Sequence, residues 1–221
     1  MSNPFQVVRD FESALCDYTG APYAVTTTSC TMALLLAVAW HLRERRWQNI
    51  HFDRPAIEIP KRTYVSVPMS IIHADGRPTF RDEEWVGAYQ LKPLRVWDSA
   101  RWFTSGMFKG GPIGNEYLFF GAFGGMMCLS FHWSKHLSLG QGGAILHDNA
   151  DADKWLRRAR FDGRTEGVTP KDDHFDMMGW HCYMSPRDAA DGLTRLRLLP
   201  KKNAPLPNDP YPDLSEMEIF K

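Results

Sequence analysis

Four places along the chain carry side chains whose type and position could do chemistry. Lys135 stands in Ser130-Phe131-His132-Trp133-Ser134-Lys135-His136, between an apolar run and the glycines Gly140, Gly142 and Gly143. A loop lysine is ordinarily just solvated, but here Ser130 lies at the end of a strand, the loop carries little charge, and the glycines let the backbone turn tightly or approach something closely. Asp98 closes the apolar run Arg95-Val96-Trp97-Asp98, where a carboxylate is costly unless it is paired or directed into a site. Arg101, three residues on, could pair with it in a purely structural way. Thr28-Ser29-Cys30-Thr31 precedes a strongly apolar stretch and is either a simple helix cap or a turn that offers N–H groups and the positive end of a helix dipole to a phosphate. His132 and His136 have i, i+4 spacing but no intervening glutamate and no evident third ligand, so a metal hydrolase lacks a convincing ligand set and no metal is expected.

The elements that must position these residues follow from periodicity. Phe5, Val8, Phe11, Leu15 and Tyr18 recur at helical spacing and stop at Gly20. Tyr23 to Val25 reads as a strand, followed by the polar turn and a helix from about Thr31 to Arg45. Ala56 to Ile59 is a strand ended by Pro60, Tyr64 to His73 a helix, Pro78 to Arg81 a strand. Arg95 to Asp98, Met126 to Phe131 and Gly143 to His147 are further strands, and Asp151 to Arg160 is a helix capped near Asn149. Ser185-Pro186-Arg187-Asp188 places a cap serine, a proline and an acid in order and opens a helix that reaches Leu199. Strands alternating with helices predict an α/β sandwich with a mostly parallel sheet, whose ligands bind at the carboxyl ends of its strands. Residues 1–199 read as one domain and residues 200–221, rich in proline, as an extended tail. The polar stations therefore fall at strand ends. An anion cradle, a carboxylate and an amine are together what pyridoxal 5'-phosphate needs: a phosphate anchor, a partner for its ring nitrogen and an amine for a Schiff base.

Composition limits the alternatives. Lysine plus arginine equals aspartate plus glutamate, 26 each, so no net field argues for nucleic acid or a membrane surface. The four cysteines, Cys16, Cys30, Cys128 and Cys182, form no C-x-x-C pair and read as reduced thiols. The longest apolar run, Met32 to Trp40, is too short to span a bilayer, and the N-terminal stretch lacks a basic region followed by an apolar block, so a cytoplasmic protein is expected.

At these residues the chain resembles the DegT/DnrJ/EryC1/StrS family of pyridoxal-phosphate sugar aminotransferases. CLSFHWSKHLSLGQGGAILHDNADADKWLRRARFDGR is similar to the family's S-F-x-x-x-K-x-x-x-x-G-E-G-G block and its helix, VWDSARWF to E-D-A-A-Q-A, and IEIPKRTYVSVPMSIIHADGRPTFRD to its P-x-x-T-[FWY]-x-[AS]-T segment. FESALCDYTGAPYAVTTTSCTMALLLAV resembles the opening helix, strand and S-G-T helix start, and GWHCYMSPRDAADGLTRLRLLP the G-x-N-x-R-M helix. The resemblance implies a fold-type I aminotransferase large domain, a three-layer sandwich, here without the small C-terminal domain and with at least one βαβ unit missing between Asp82 and Asp98. It implies Lys135 as the Schiff-base lysine, Asp98 as the pyridinium partner, and Ser29, Thr31 and Ser130 as phosphate ligands. Tyr64 would stack on the ring, and His181 would reach the phosphate of a partner subunit in a homodimer with shared sites. Cys30 replaces the family's glycine in the phosphate turn, Arg101 its glutamine beside the ring, Gln141 the glutamate of G-E-G-G, and Tyr183 the basic residue of N-x-R-M. The implied reaction moves an amino group from glutamate or glutamine to a keto sugar linked to a nucleotide. The alternative is a non-catalytic scaffold of the same family that pairs with a full-length relative.

Overall fold

A computed structural model describes residues 4–47, 54–113, 116–118 and 125–221, so Met1 to Asn3 of the N-terminal stretch lie outside it. The elements run α1 (Gln6–Thr19), β1 (Tyr23–Thr27), α2 (Cys30–Trp47), β2 (Ala56–Pro60), α3 (Ser66–His73), β3 (Arg77–Arg81), β4 (Tyr89–Gln90), β5 (Val96–Asp98), β6 (Gly111–Ile113), β7 (Glu116–Leu118), β8 (Met126–Ser130), β9 (Gly143–His147), α4 (Ala150–Ala159) and α5 (Pro186–Leu198). The local signals act as their chemistry requires. Gly20 ends α1 at φ 78°, a left-handed conformation that costs glycine little. Asn149 caps α4 by accepting from Asp151 N and Ala152 N, and Ser185 caps α5 by accepting from Asp188 N. The helix expected from Tyr64 begins at Ser66, which leaves Tyr64 in the connection that follows β2.

The main sheet has the order β1-β9-β8-β5-β4, with β2 and β3 paired beside it. The α/β class stands, but the sheet is mixed, not mostly parallel. β5 and β8 are parallel, as are β2 and β3, whereas β8–β9, β1–β9 and β4–β5 are antiparallel. The loop from β8 to β9 carries no helix to cross over the sheet, and β9 turns back antiparallel beside β8. β1, β5 and β8 still point the same way, which brings Thr27, Asp98 and Ser130 to one edge of the sheet.

Alternate residues of each strand face opposite layers, the period-two rule of a strand. Val25, Val96, Cys128 and Ile145 pack with Leu34, Leu36 and Val38 of α2 and with α3 and α4. Ala24, Met127, Leu129 and Leu146 pack with Val8, Phe11 and Leu15 of α1 and with α5. Three layers result. Gly192 lets α5 close on α1, because a Cβ there would come within 2.6 Å of the Phe11 ring.

One buried ionic cluster ties α1 to β1 and α4. Glu12, 2% exposed, accepts from Thr26 N and Thr26 Oγ1 at 2.9 Å each, from Arg157 Nη1 at 2.6 Å and from Arg160. Arg160 is itself only 1% exposed. Each charge needs the other, since a buried ion left alone costs several kcal/mol. The cluster fixes β1, whose far end leads directly into the candidate site.

Candidate active site

A cavity of about 250 Å³ opens at the sheet edge where β1, β5 and β8 end. Ser29, Cys30, Thr31, Tyr64, Asp98, Arg101, Ser130 and Lys135 all line it, so the structure brings together every predicted site residue except His181. His181 lies outside the cavity lining: its side chain is largely exposed and its Nδ1 pairs with Asp162 at 2.7 Å.

The first wall is the N-terminus of α2. Ser29 Oγ accepts from Met32 N at 3.2 Å, and Ser29 O accepts from Ala33 N at 3.0 Å. Cys30 and Thr31, in the first turn, have no N–H partner within their own helix. Thr31 Oγ1 lies 2.7 Å from Ser66 Oγ of α3. Gly143 permits this arrangement, because a Cβ there would stand 2.5 Å from Cys30 N and Ser29 C. The turn that bears the hydroxyls therefore rests directly on the backbone of β9.

The floor is Asp98, 6% exposed. Its Oδ1 accepts from Ala100 N at 2.9 Å, and its Oδ2 accepts from Tyr89 Oη at 2.8 Å. Tyr89 Oη also lies 2.6 Å from Thr63 Oγ1. Cys30 Sγ approaches Asp98 Oδ1 at 4.0 Å. Burial pushes the Asp98 carboxyl above its ordinary value, partly offset by the Ala100 and Tyr89 hydrogen bonds and by the charges of Lys135 and Arg101. Arg101 does not pair with Asp98, the structural partner expected from their spacing. Its guanidinium turns to the C-terminal tail: Nη1 donates to Asp209 Oδ2 at 2.8 Å, Nη2 to Asp209 Oδ1 at 3.3 Å, and Nη2 also to Pro207 O. Asp98 is instead satisfied by its own strand pair and the following turn.

Lys135 is held by the folded loop between β8 and β9. Lys135 N donates to His132 O, and Phe131 N to Gly142 O, both at 2.9 Å. Leu137, 1% exposed, pins the loop into the core. His132 Nδ1 lies 3.0 Å from Ser134 Oγ and His136 Nε2 lies 2.9 Å from Ala204 O, so the two histidines face different partners. Burial, then the Arg101 charge, holds the Lys135 ammonium below its ordinary pKa, while Asp98 and Asp209 pull it back. An amine with more neutral character thus faces a buried carboxylate.

Sequence reasoning missed Tyr89, Trp85, Asp209 and Tyr211. Trp85, Asp209 and Tyr211 line the cavity, and Tyr89 sits directly opposite Asp98 in the β4–β5 pair. The tail, expected to pack on the domain or project from it, contributes Asp209 and Tyr211 to the cavity lining. Tyr211 stacks on Trp85 at 6.4 Å and 16°.

A family model described as the DegT/DnrJ/EryC1/StrS aminotransferase family matches residues 2–97 and 113–205. The chain belongs to that family. Two of the cavity's clusters lie outside the matched residues: Asp98 with Arg101, and Asp209 with Tyr211. Solved structures of the same fold include AtS13 from Actinomadura melliaura, with 20% identity over 86% of this chain and 59% of that one and a TM-score of 0.65. PseC from Helicobacter pylori, an aminotransferase involved in the biosynthesis of pseudoaminic acid, shows 16% identity over 89% and 63%, with a TM-score of 0.63. The sugar aminotransferase CalS13 from Micromonospora echinospora shows 16% over 87% and 61%, with a TM-score of 0.65. The DegT-family chain described here thus spans about three-fifths of the length of each. No curated protein matches the sequence. No helix among the described residues is long and apolar enough to cross a membrane.

Proposed function

We propose that this chain is a pyridoxal-phosphate-dependent aminotransferase of the DegT family, moving an amino group from glutamate or glutamine to a keto sugar carried on a nucleotide. One observation carries the reading: the Lys135 amine and the buried Asp98 carboxylate line a single cavity capped by the N-terminus of α2.

The residues present fit the cofactor. The first turn of α2, with the hydroxyls of Ser29, Thr31 and Ser130, is a cradle for a dianionic phosphate, and Gly143 keeps that cradle open. Asp98 suits a protonated ring nitrogen, because a buried carboxylate above its ordinary pKa gains most from a cation placed beside it. Tyr64, 57% exposed, offers a ring face at the cavity wall. Cys30, where the family has glycine, turns its side chain toward Asp98 and leaves the cradle's N–H groups unblocked.

Pyridoxal phosphate, when bound, supplies a carbonyl that condenses with amines and a ring that accepts an electron pair. Lys135 Nζ, below its ordinary pKa, is the amine for covalent attachment and the base that takes and returns a proton. Asp98 stabilises positive charge at the ring nitrogen. Tyr89 and Ala100 N–H hold Asp98 in orientation by bonding one oxygen each. The tail forms a strap whose Asp209 and Tyr211 line the cavity.

The same reading places the protein in the cytoplasm as a homodimer, with the exposed His181 directed to the partner subunit's phosphate site. It treats residues 1–199 as the cofactor-binding domain and 200–221 as an appended segment. The deciding experiment is to add pyridoxal phosphate, reduce with borohydride and map the modified peptide by mass spectrometry. A stoichiometric adduct on Lys135 is expected; no adduct there would overturn the enzymatic reading.

A further inference from the structure

The Arg101–Asp209 pair is lopsided. The Arg101 side chain is 8% exposed and that of Asp209 is 62% exposed, so a guanidinium fixed in the cavity wall is neutralised from the solvent side. Its two terminal nitrogens face the two oxygens of one carboxylate, at 2.8 and 3.3 Å, the fork geometry by which arginine recognises carboxylates. A guanidinium this buried, close to the Lys135 amine, is costly without an anion.

The segment that delivers Asp209 is anchored at its two ends and exposed between them. Upstream, Leu206 N donates to Arg101 O at 2.8 Å and Asn203 Nδ2 donates to Phe103 O at 3.0 Å. Downstream, Leu214 is fully buried, its N–H donates to Lys61 O at 2.9 Å, and Asp213 pairs with Lys61 at 3.1 Å. Residues 207–210 and 212 are all exposed; this span meets the domain through an Asn208 bond to Trp85 O, the Tyr211–Trp85 stack and Arg101, which donates to Asp209, to Pro207 O and, at 3.4 Å, to Tyr211 Oη. Lifting the span would leave both anchors in place.

We propose that Arg101 is a carboxylate-binding residue of this cavity and that Asp209 is its built-in occupant, displaced when an amino acid or a 2-oxo acid binds. The exchange is one carboxylate for another on the same fork, so Arg101 never loses its anion. Naming the incoming acid as the amino donor or its product rests on the aminotransferase reading; the carboxylate site itself does not.

The test is binding of 2-oxoglutarate to the full-length, cofactor-free chain, followed by calorimetry and by tryptophan fluorescence, since Trp85 lies under the strap. Asp209→Asn removes the competing charge at an exposed position. If the strap is lifted in about a tenth of the molecules, this substitution tightens binding about tenfold, because apparent affinity scales with the competent fraction. Arg101→Gln should abolish that gain, and Arg101→Lys, which keeps the charge without the fork, should lose most of it, with circular dichroism confirming that each variant is folded. Unchanged or weaker binding in Asp209→Asn would overturn the proposal, as would full binding in a folded Arg101→Gln. An adduct on Lys135 without a response to Asp209→Asn defeats only the carboxylate site; the response without the adduct defeats only the aminotransferase reading.

Discussion

Tyr89→Phe removes a hydroxyl that donates to Asp98 in the cavity floor and also lies 2.6 Å from Thr63 Oγ1. Tyr89, 3% exposed, and Asp98, 6% exposed, meet at 2.8 Å. A hydrogen bond to a charged group contributes about 1.5–3 kcal/mol, and phenylalanine fills the same ring volume, so the loss should lie in that range at about pH 8. The sign with pH follows from the carboxyl. Its folded pKa is already raised above 3.8 by burial, so Asp98 opposes folding increasingly as pH rises from the unfolded value through the folded one. Deleting the Tyr89 donor removes stabilisation from the charged form alone and raises the folded value further. The Asp98 part of the loss is therefore complete above that new value and fades as pH falls to the unfolded value, while the part due to the Thr63 bond does not change with pH. Urea unfolding of the wild type and Tyr89→Phe at a series of pH values from 8 down into the ordinary carboxylate range measures it. A loss below about 0.5 kcal/mol at pH 8 would show that the hydroxyl does not support a charged Asp98.

Two further substitutions probe the supports of the site. Gly143→Ala places a methyl against the backbone of Ser29 and Cys30, where no flexible side chain can yield; it should cost about 1–3 kcal/mol by overpacking and weaken pyridoxal-phosphate binding, read by titration of cofactor absorbance. Glu12→Ala removes the nearest carboxylate of Arg160, which is 1% exposed, and leaves it Glu166 at 3.6 Å; it should cost about 3–5 kcal/mol in chemical denaturation, whereas Glu166→Ala, whose nearer partner is the half-buried Arg9 at 2.9 Å, should cost clearly less.

Much of this was legible because it is local. The turn into α2, the cap of α5 and the glycines after Lys135 declare themselves within a few residues. Asp98 and Ser130 stand at strand ends that can be read from apolar runs, and Lys135 lines the same cavity from the loop that follows. Tyr89 was missed although a signal existed: Tyr89, Gln90 and Leu91 face Asp98, Trp97 and Val96 across Lys92-Pro93-Leu94-Arg95, a hairpin pattern hidden by reading the short interval as a deletion. Asp209 could not be found from pattern, because a contact 108 residues away has no periodicity to announce it. A structural pair of Arg101 with Asp98 was one of the readings its spacing allowed, but the guanidinium bonds Asp209 and Pro207 O of the tail instead. The antiparallel course of β9 depends on what the Lys135 loop lacks, and a missing helix is a weaker signal than a present one.

The seam between β2 and the rest of the sheet has one more consequence. Glu58 and Lys92 exchange two backbone bonds, at 2.7 and 3.0 Å, and they form the isolated bridge between β2 and the segment that follows β4. Thr63, Tyr64 and Ser66 follow β2, whereas Asp98, Ser130 and Lys135 belong to the larger sheet. Residues that follow β2 thus meet residues of the larger sheet across the cavity, and the tail touches both sides of it, at Arg101 and at Lys61.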